Sequence, residues 1–284
     1  MVSDIAVASA VIVGLFGLLI GSFLNVVIWR LPRGESLAHP ASHCPKCDAP
    51  LRWYDNIPLL SWVVLRGKCR SCAEQISIRY PAVELATGIF FAGVTFWAIS
   101  TSPTGWLDHG APWTGWLSVF LALFAFLYFA AVSVALALID LDTQKLPNAI
   151  VLPTYVVAGA LLGISALIVG DLQALLGAVV GMVGLYTAYL ILALVYPGGM
   201  GFGDVKLAGV IGLYVGWLGW GELAVGAFAA FVFGGIFAVA LMLAGRAGKK
   251  TAIPFGPWML VGCWVGIFIG GDIFAWYLGL FGVS

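Results

Sequence analysis

Two aspartates stand out in a chain that carries few charges. Asp140 ends a long apolar run, in Ile139-Asp140-Leu141-Asp142. Asp204 follows a glycine-rich break, Gly198-Gly199-Met200-Gly201-Phe202-Gly203-Asp204-Val205-Lys206. Two carboxylates held close cannot both ionise, so they share one proton. The ionised one can take a proton from water while the other polarises a scissile carbonyl, which is peptide hydrolysis. A helical carbonyl is occupied by its own hydrogen bond, so the substrate must be unwound, and glycines beside Asp204 would let an extended peptide approach. The other reading of the break is a flexible turn with a solvated aspartate. Asp142 lies in the same loop as Asp140 and competes for the first role.

A second set of reactive side chains lies in the 29–82 segment. Cys44-Pro45-Lys46-Cys47 is followed, after twenty-one residues, by Cys69-Arg70-Ser71-Cys72. Two such pairs can give four thiolates to one tetrahedral zinc, leaving no open position, so the metal would be structural. Such knuckles favour glycine after the second cysteine. Asp48 and Ala73 stand there instead, and alanine tolerates a left-handed backbone less well. Cys263 reads as a buried apolar residue, and His39 and His43 are weaker competitors as ligands.

Positioning these groups falls to membrane-grade helices. Of 284 residues, 62% are hydrophobic and 9% charged, against about 25% charged in an ordinary soluble domain. Eight apolar runs approach the ~20 residues needed for a span: 7–28, 83–100, 116–139, 149–169, 174–196, 207–218, 223–243 and 258–278. The sixth is short, and the eighth is interrupted by Gly270-Gly271-Asp272. The expected fold is an all-α polytopic membrane protein with about eight transmembrane helices and a small cytoplasmic zinc-binding loop between helices 1 and 2. All thirteen Lys and Arg residues fall in 29–82, 140–148, 197–206 and 244–257. That asymmetry puts these loops in the cytoplasm and both termini outside, with Asp140 and Asp204 on one side. The first apolar run follows Asp4, lacks a preceding basic residue and is followed by Arg30 and Arg33, so no cleavable signal is expected.

Other chemistries fit less well. Gly199-x-Gly201-x-Gly203 follows a helix and lacks Rossmann spacing. No Walker, Ser-His-Asp or His-Glu-x-x-His pattern occurs, and no nucleic-acid partner is expected. Gly21-Ser22 and Asn25 place polar atoms in the first span, where helix packing accounts for them. Trp53 to Pro58, Arg66-Gly67, Arg79-Tyr80-Pro81 and Glu84 read as turns and interfacial anchors.

Taken together and in order, these segments resemble the type IV prepilin peptidases, membrane aspartic proteases of the GxGD class. The likeness runs from Gly21-Ser22-Phe23-Leu24-Asn25-Val26-Val27 through both Cys pairs and Arg79-Tyr80-Pro81-x-x-Glu84. It continues through Asp140-x5-Leu146-Pro147-Asn148 and Gly201-Phe202-Gly203-Asp204-x-Lys206 to Ile253-Pro254-Phe255-Gly256-Pro257. The resemblance implies that Asp140 and Asp204 are the catalytic pair, because its aspartate stands six residues before Leu-Pro. It implies prepilin and pseudopilin precursors as substrates, cut after a glycine at the cytoplasmic face of the bacterial inner membrane. It also implies N-methylation of the new terminus by S-adenosyl-L-methionine, since the zinc loop is present. Asp55, Asn56, Arg66, Arg79 and Glu84 are the polar positions considered for methyl transfer. The implied division is 1–28 first helix, 29–82 zinc loop, 83–115 second helix and outer loop, and 116–284 six-helix peptidase domain. A peptidase with the loop as scaffold and a proton-coupled transporter are the competing functions.

Overall fold

The computed structural model describes residues 2–101, 113–196, 200–245 and 254–282. Gly198, Gly199, Ile253, the basic cluster at 246–250 and most of the outer loop before the third span lie outside them. Among the described residues the chain is helical, with two isolated bridges and no strand. The long helices are α1 (Val2–Arg30), α3 (Arg79–Thr101), α4 (Trp113–Thr143), α5 (Asn148–Val169), α6 (Leu172–Val195), α7 (Phe202–Leu218), α8 (Trp220–Leu243) and α9 (Gly256–Gly279); α2 (Leu60–Val64) is a short turn of helix in the first loop. Seven are long and apolar enough to cross a membrane, which makes this a multi-pass membrane protein. α7 falls short at 17 residues. It is nonetheless the expected sixth run, extended back to Phe202, and it is buried almost throughout from Val205 to Gly216.

The expected interruption of the last run is absent. α9 is continuous through Gly270-Gly271-Asp272. A Cβ at Gly270 would lie 2.8 Å from Cα of Glu222 in α8. These glycines let two helices touch, as small residues do where no hydrophobic force drives association in lipid.

The chain forms two compact units. The first holds Met1–His109 and Phe126–Ala135. In it α1 packs along α3: a Cβ at Gly21 would meet Cα of Glu84 at 2.7 Å, and Asn25 Nδ2 donates to the Tyr80 carbonyl at 3.1 Å. Small and polar residues therefore do serve packing at Gly21 and Asn25. The second unit holds Gly110–Ala125 and Leu136–Ser284. Its central helix is α7, which touches α5, α6, α8 and α9. Polar ties fix its rotation. Tyr214 Oη donates to the Ala125 carbonyl at 2.9 Å, Trp217 Nε1 to Leu162 at 3.2 Å and Tyr155 Oη to Lys206 at 2.5 Å. In a helix core these hydroxyls and indoles need partners, and backbone carbonyls supply them.

Candidate functional site

The carboxylate pair is built from helix ends in the second unit. α4 runs past Ile139, so Asp140 sits in its last turn, 4% exposed. The helix stops four residues later, where Gln144 turns left-handed (φ 53°) and donates its N–H to the Asp140 carbonyl at 2.8 Å. Pro147 then opens α5 with its ring-fixed φ of −63°. Asp140 Oδ2 accepts the N–H of Gly256 at 3.0 Å, satisfying one of the orphan donors at the start of α9. A Cβ at Gly256 would stand 2.8 Å from that oxygen, so the carboxylate can reach the backbone only where no side chain exists.

Asp204 lies in the first turn of α7, half-buried. Its Oδ2 accepts the N–H of Gly201 at 3.1 Å, closing the helix start with the third residue's side chain. The two carboxylates are near enough for charge on one to act on the other. Leu146 packs beside both: a Cβ at Gly203 would meet its Cβ at 3.0 Å, and one at Gly256 its Cδ2 at 3.3 Å. Leu-Pro-Asn, Gly-Phe-Gly-Asp and Pro-Phe-Gly-Pro thus meet round one leucine. Asp142 is exposed. Lys206 Nζ donates to Asn148 Oδ1 at 2.9 Å and stands 4.9 Å from the Phe202 ring. Tyr189 of α6 had no mark in the sequence. Buried at 3% exposure, it stacks on Phe231 and Phe255 and lies within electrostatic reach of Asp204.

The cysteine cluster belongs to the first unit. All four Sγ atoms lie within 4.8 Å of one another, and no disulfide links them. Each Cys pair makes the same turn. Cys44 N–H bonds the Ala49 carbonyl and Asp48 N–H the Cys44 carbonyl; Cys69 with Glu74 and Ala73 with Cys69 repeat the pattern. Backbone N–H groups of Lys46 and Cys47 pull the Cys44 thiol down to about 6, favouring the thiolate a metal needs. The Cys44–Cys72 separation of 3.8 Å equals the edge of a tetrahedron with metal–sulfur bonds of ~2.3 Å, about 3.8 Å. These residues fit a tetrahedral metal ion, and Cys263 is buried in α9 as a plain apolar residue.

Both knuckles use the left-handed backbone expected of them, with φ 53° at Asp48 and 57° at Ala73. An L-residue pays roughly 1–2 kcal/mol there, offset in part by the ~0.5–1 kcal/mol of chain entropy that glycine loses on folding. Ala73→Gly is therefore expected to stabilise the loop by about 0.5–1 kcal/mol, read as slower metal release to a chelator. Asp48→Gly should gain less. Equal release rates for wild type and Ala73→Gly would refute the strain.

The five polar positions of the loop separate into two kinds. Asp55 accepts from Arg70 Nη2 at 2.6 Å and Nε at 2.9 Å, stapling the 53–56 turn to the second knuckle. Glu84, buried, accepts the N–H of Leu59 at 2.8 Å, which has φ 59°. Both carboxylates thus serve the scaffold. Arg66 ends the turn after α2 and is exposed, and Arg79 opens α3. Asn56 faces a cleft against α1.

Comparison with known proteins places this architecture. The family model described as Bacterial Peptidase A24 N-terminal domain matches residues 15–98, and Type IV leader peptidase family matches 127–239. A prepilin leader peptidase/N-methyltransferase of Stutzerimonas stutzeri is 35% identical, covering 92% of this chain and 91% of the relative. Its namesake in Neisseria gonorrhoeae is 36% identical, covering 95% and 94%. The one in Aeromonas hydrophila is 35% identical, covering 94% and 93%. No solved structure matches the chain. The two matched segments contain the cysteine cluster and both aspartates, and the likeness to whole relatives spans nearly all of the chain: it belongs to the prepilin leader peptidase/N-methyltransferase family.

Proposed function

We propose that the chain is a membrane aspartic endopeptidase that removes the leader from prepilins and pseudopilins and then N-methylates the new terminus. The observation that carries this is the meeting of Asp140 and Asp204, each with one oxygen held by a glycine N–H and the other left for chemistry. With one proton between them, the ionised carboxylate accepts a proton from water as its oxygen attacks the scissile carbonyl carbon. The protonated carboxyl gives its proton to the carbonyl oxygen. The resulting diol collapses as a proton passes to the peptide nitrogen, the C–N bond breaks, and the pair regains its single proton. The glycines flanking Asp204 keep side chains away from the path of an extended substrate. The charge asymmetry supports a cytoplasmic position for the pair and for the 29–82 loop, with both termini outside and the enzyme in the bacterial inner membrane.

Cys44, Cys47, Cys69 and Cys72 would hold zinc as a structural ion, giving a loop too small for its own core a fixed shape. S-adenosylmethionine, when bound, supplies the methyl group for the freed amine. The test is purified protein with a synthetic prepilin, analysed by mass spectrometry. Leader loss is expected with or without the methyl donor, and added methyl mass only with it. An intact prepilin overturns the proposal; a cut but never methylated product reduces it to the peptidase.

A further inference from the structure

α6 and α7 pack antiparallel in a fixed register. Gly177 faces Gly216 and Gly181 faces Gly212, so close that an added Cβ would strike the opposite carbonyl oxygen. Every four residues gained along α6 are matched by four lost along α7. Two such steps beyond Gly181, Tyr189 comes opposite Asp204. The Tyr189 ring is locked there. Its centroid lies 5.5 Å from that of Phe231 and 6.3 Å from that of Phe255, and those two rings are 5.6 Å apart. Phe255 is seated on α8, where a Cβ at Gly234 would stand 2.7 Å from its Cε2. The next residue, Gly256, gives its N–H to Asp140. Packing therefore ties Tyr189 to both halves of the pair, through the α6–α7 seam to Asp204 and through Phe255 to the start of α9 that holds Asp140.

The hydroxyl is what packing leaves unexplained. Tyr155 and Tyr214 spend theirs on backbone carbonyls of Lys206 and Ala125. The Tyr189 hydroxyl has no hydrogen-bond partner among the described residues, Asp204 included, and it is not sealed in as Trp258 Nε1 is. Yet it lies close enough to Asp204 for the carboxylate's charge to act on it. Phenylalanine would fill the same ring position without the cost of an unpaired hydroxyl in an apolar core.

We propose that Tyr189 is a catalytic residue of the peptidase, its hydroxyl donating a hydrogen bond to the scissile carbonyl oxygen as charge builds there. The inference rests on the peptidase reading above. The protons that move are those of water and of the aspartate pair; the phenol keeps its own and only donates. A neutral donor suits this place, because a cation beside Asp204 would favour ionisation of both carboxylates and remove the acid. A ring held on three sides keeps the donor aimed before charge develops, and one such donor is worth about 10²–10³ in rate.

The experiment is steady-state cleavage of a synthetic prepilin by the purified full chain in detergent, wild type against Tyr189→Phe. A fall in kcat of about a hundredfold is expected with KM nearly unchanged, since the bond forms only in the transition state. The variant should unfold at the wild-type temperature or above it, because it keeps the ring and sheds the unpaired hydroxyl. Wild-type cleavage by Tyr189→Phe overturns the inference and leaves the peptidase reading standing; a wild type that never cuts removes both. A change confined to KM overturns it in favour of a packing role. A fluorinated tyrosine at 189 decides the matter even if Tyr189→Phe folds poorly. It keeps the ring and lowers the pH at which the phenol ionises and stops donating. The alkaline fall in kcat should move to lower pH with it, and an unmoved profile overturns the donor role.

Discussion

Purified Asp140→Asn and Asp204→Asn proteins should each remain folded, keep their metal and leave a prepilin uncut. An amide cannot take the proton from water, nor donate an acidic one to the carbonyl, so either change removes a partner from an exchange that needs both. Loss of a single acid–base group typically costs about 10²–10⁴ in rate, and a shared proton makes the pair fail as a unit. A fall of about three orders of magnitude or more in cleavage is expected from each variant, with the double variant little worse. Asn keeps the shape of Asp and one carbonyl oxygen, so the N–H bonds from Gly256 and Gly201 can persist. Size exclusion and thermal unfolding in detergent should thus stay near wild type. Asp142→Asn is the control: two residues on, it is exposed, and it should cut at nearly the normal rate. An inactive Asp142→Asn with an active Asp140→Asn would give the first role to Asp142 instead of Asp140. Equal cleavage by all three variants would remove the pair from the reaction.

Much of this was legible in the letters because lipid imposes a strict rule. Every run of apolar residues must be a helix, since no other spanning element satisfies its own backbone. The observed helices differ from the apolar runs chiefly at their ends, where α4 continues past its last apolar residue and α7 begins before its first. That is how Asp140 and Asp204 come to lie inside helices α4 and α7. The cysteine quartet was legible because two Cys-x-x-Cys pairs leave few alternatives, and Asp48 and Ala73 show the left-handed turn that such pairs demand. What could not be read was partnership. Asp55 and Glu84 look like free carboxylates in a loop, yet Arg70 and the Leu59 amide claim them from 15 and 25 residues away. Gly270-Gly271-Asp272 has the composition of a break, but composition does not tell a turn from a helix face that another helix must touch. Tyr189 carries no local signal at all; only the packing of α6 brings it near Asp204.

The same limit governs the second large effect, which concerns how α7 is held. Gly177-x-x-x-Gly181 on α6 and Gly212-x-x-x-Gly216 on α7 are the small-residue spacing that lets helices meet backbone to backbone. The structure pairs them. A Cβ on Gly177 would run into the Gly216 carbonyl, and one on Gly181 into the Gly212 carbonyl. At Gly212 it would fall 2.5 Å from the carbonyl carbon of Gly181 and 2.9 Å from the Met182 nitrogen. Backbone on both sides leaves no side chain to swing aside, so Gly212→Val must push the helices apart. Overpacking of this kind costs about 1–3 kcal/mol, occasionally more, and the rigid contact puts Gly212→Val at the upper end. Asp204 lies eight residues back along the same helix, about 12 Å, so a tilt of α7 carries the carboxylate with it. A misplacement near 1 Å can cost about a hundredfold in rate. Gly212→Val should therefore lower the unfolding temperature and slow single-turnover cleavage by about a hundredfold. Gly184→Val is the matched control, on α6 beside the same seam with nothing within 4 Å of its added Cβ, and it should change neither quantity. If Gly212→Val cuts as fast as Gly184→Val, α6 is not what positions Asp204, and the rotation of α7 rests on its polar ties to α4 and α5.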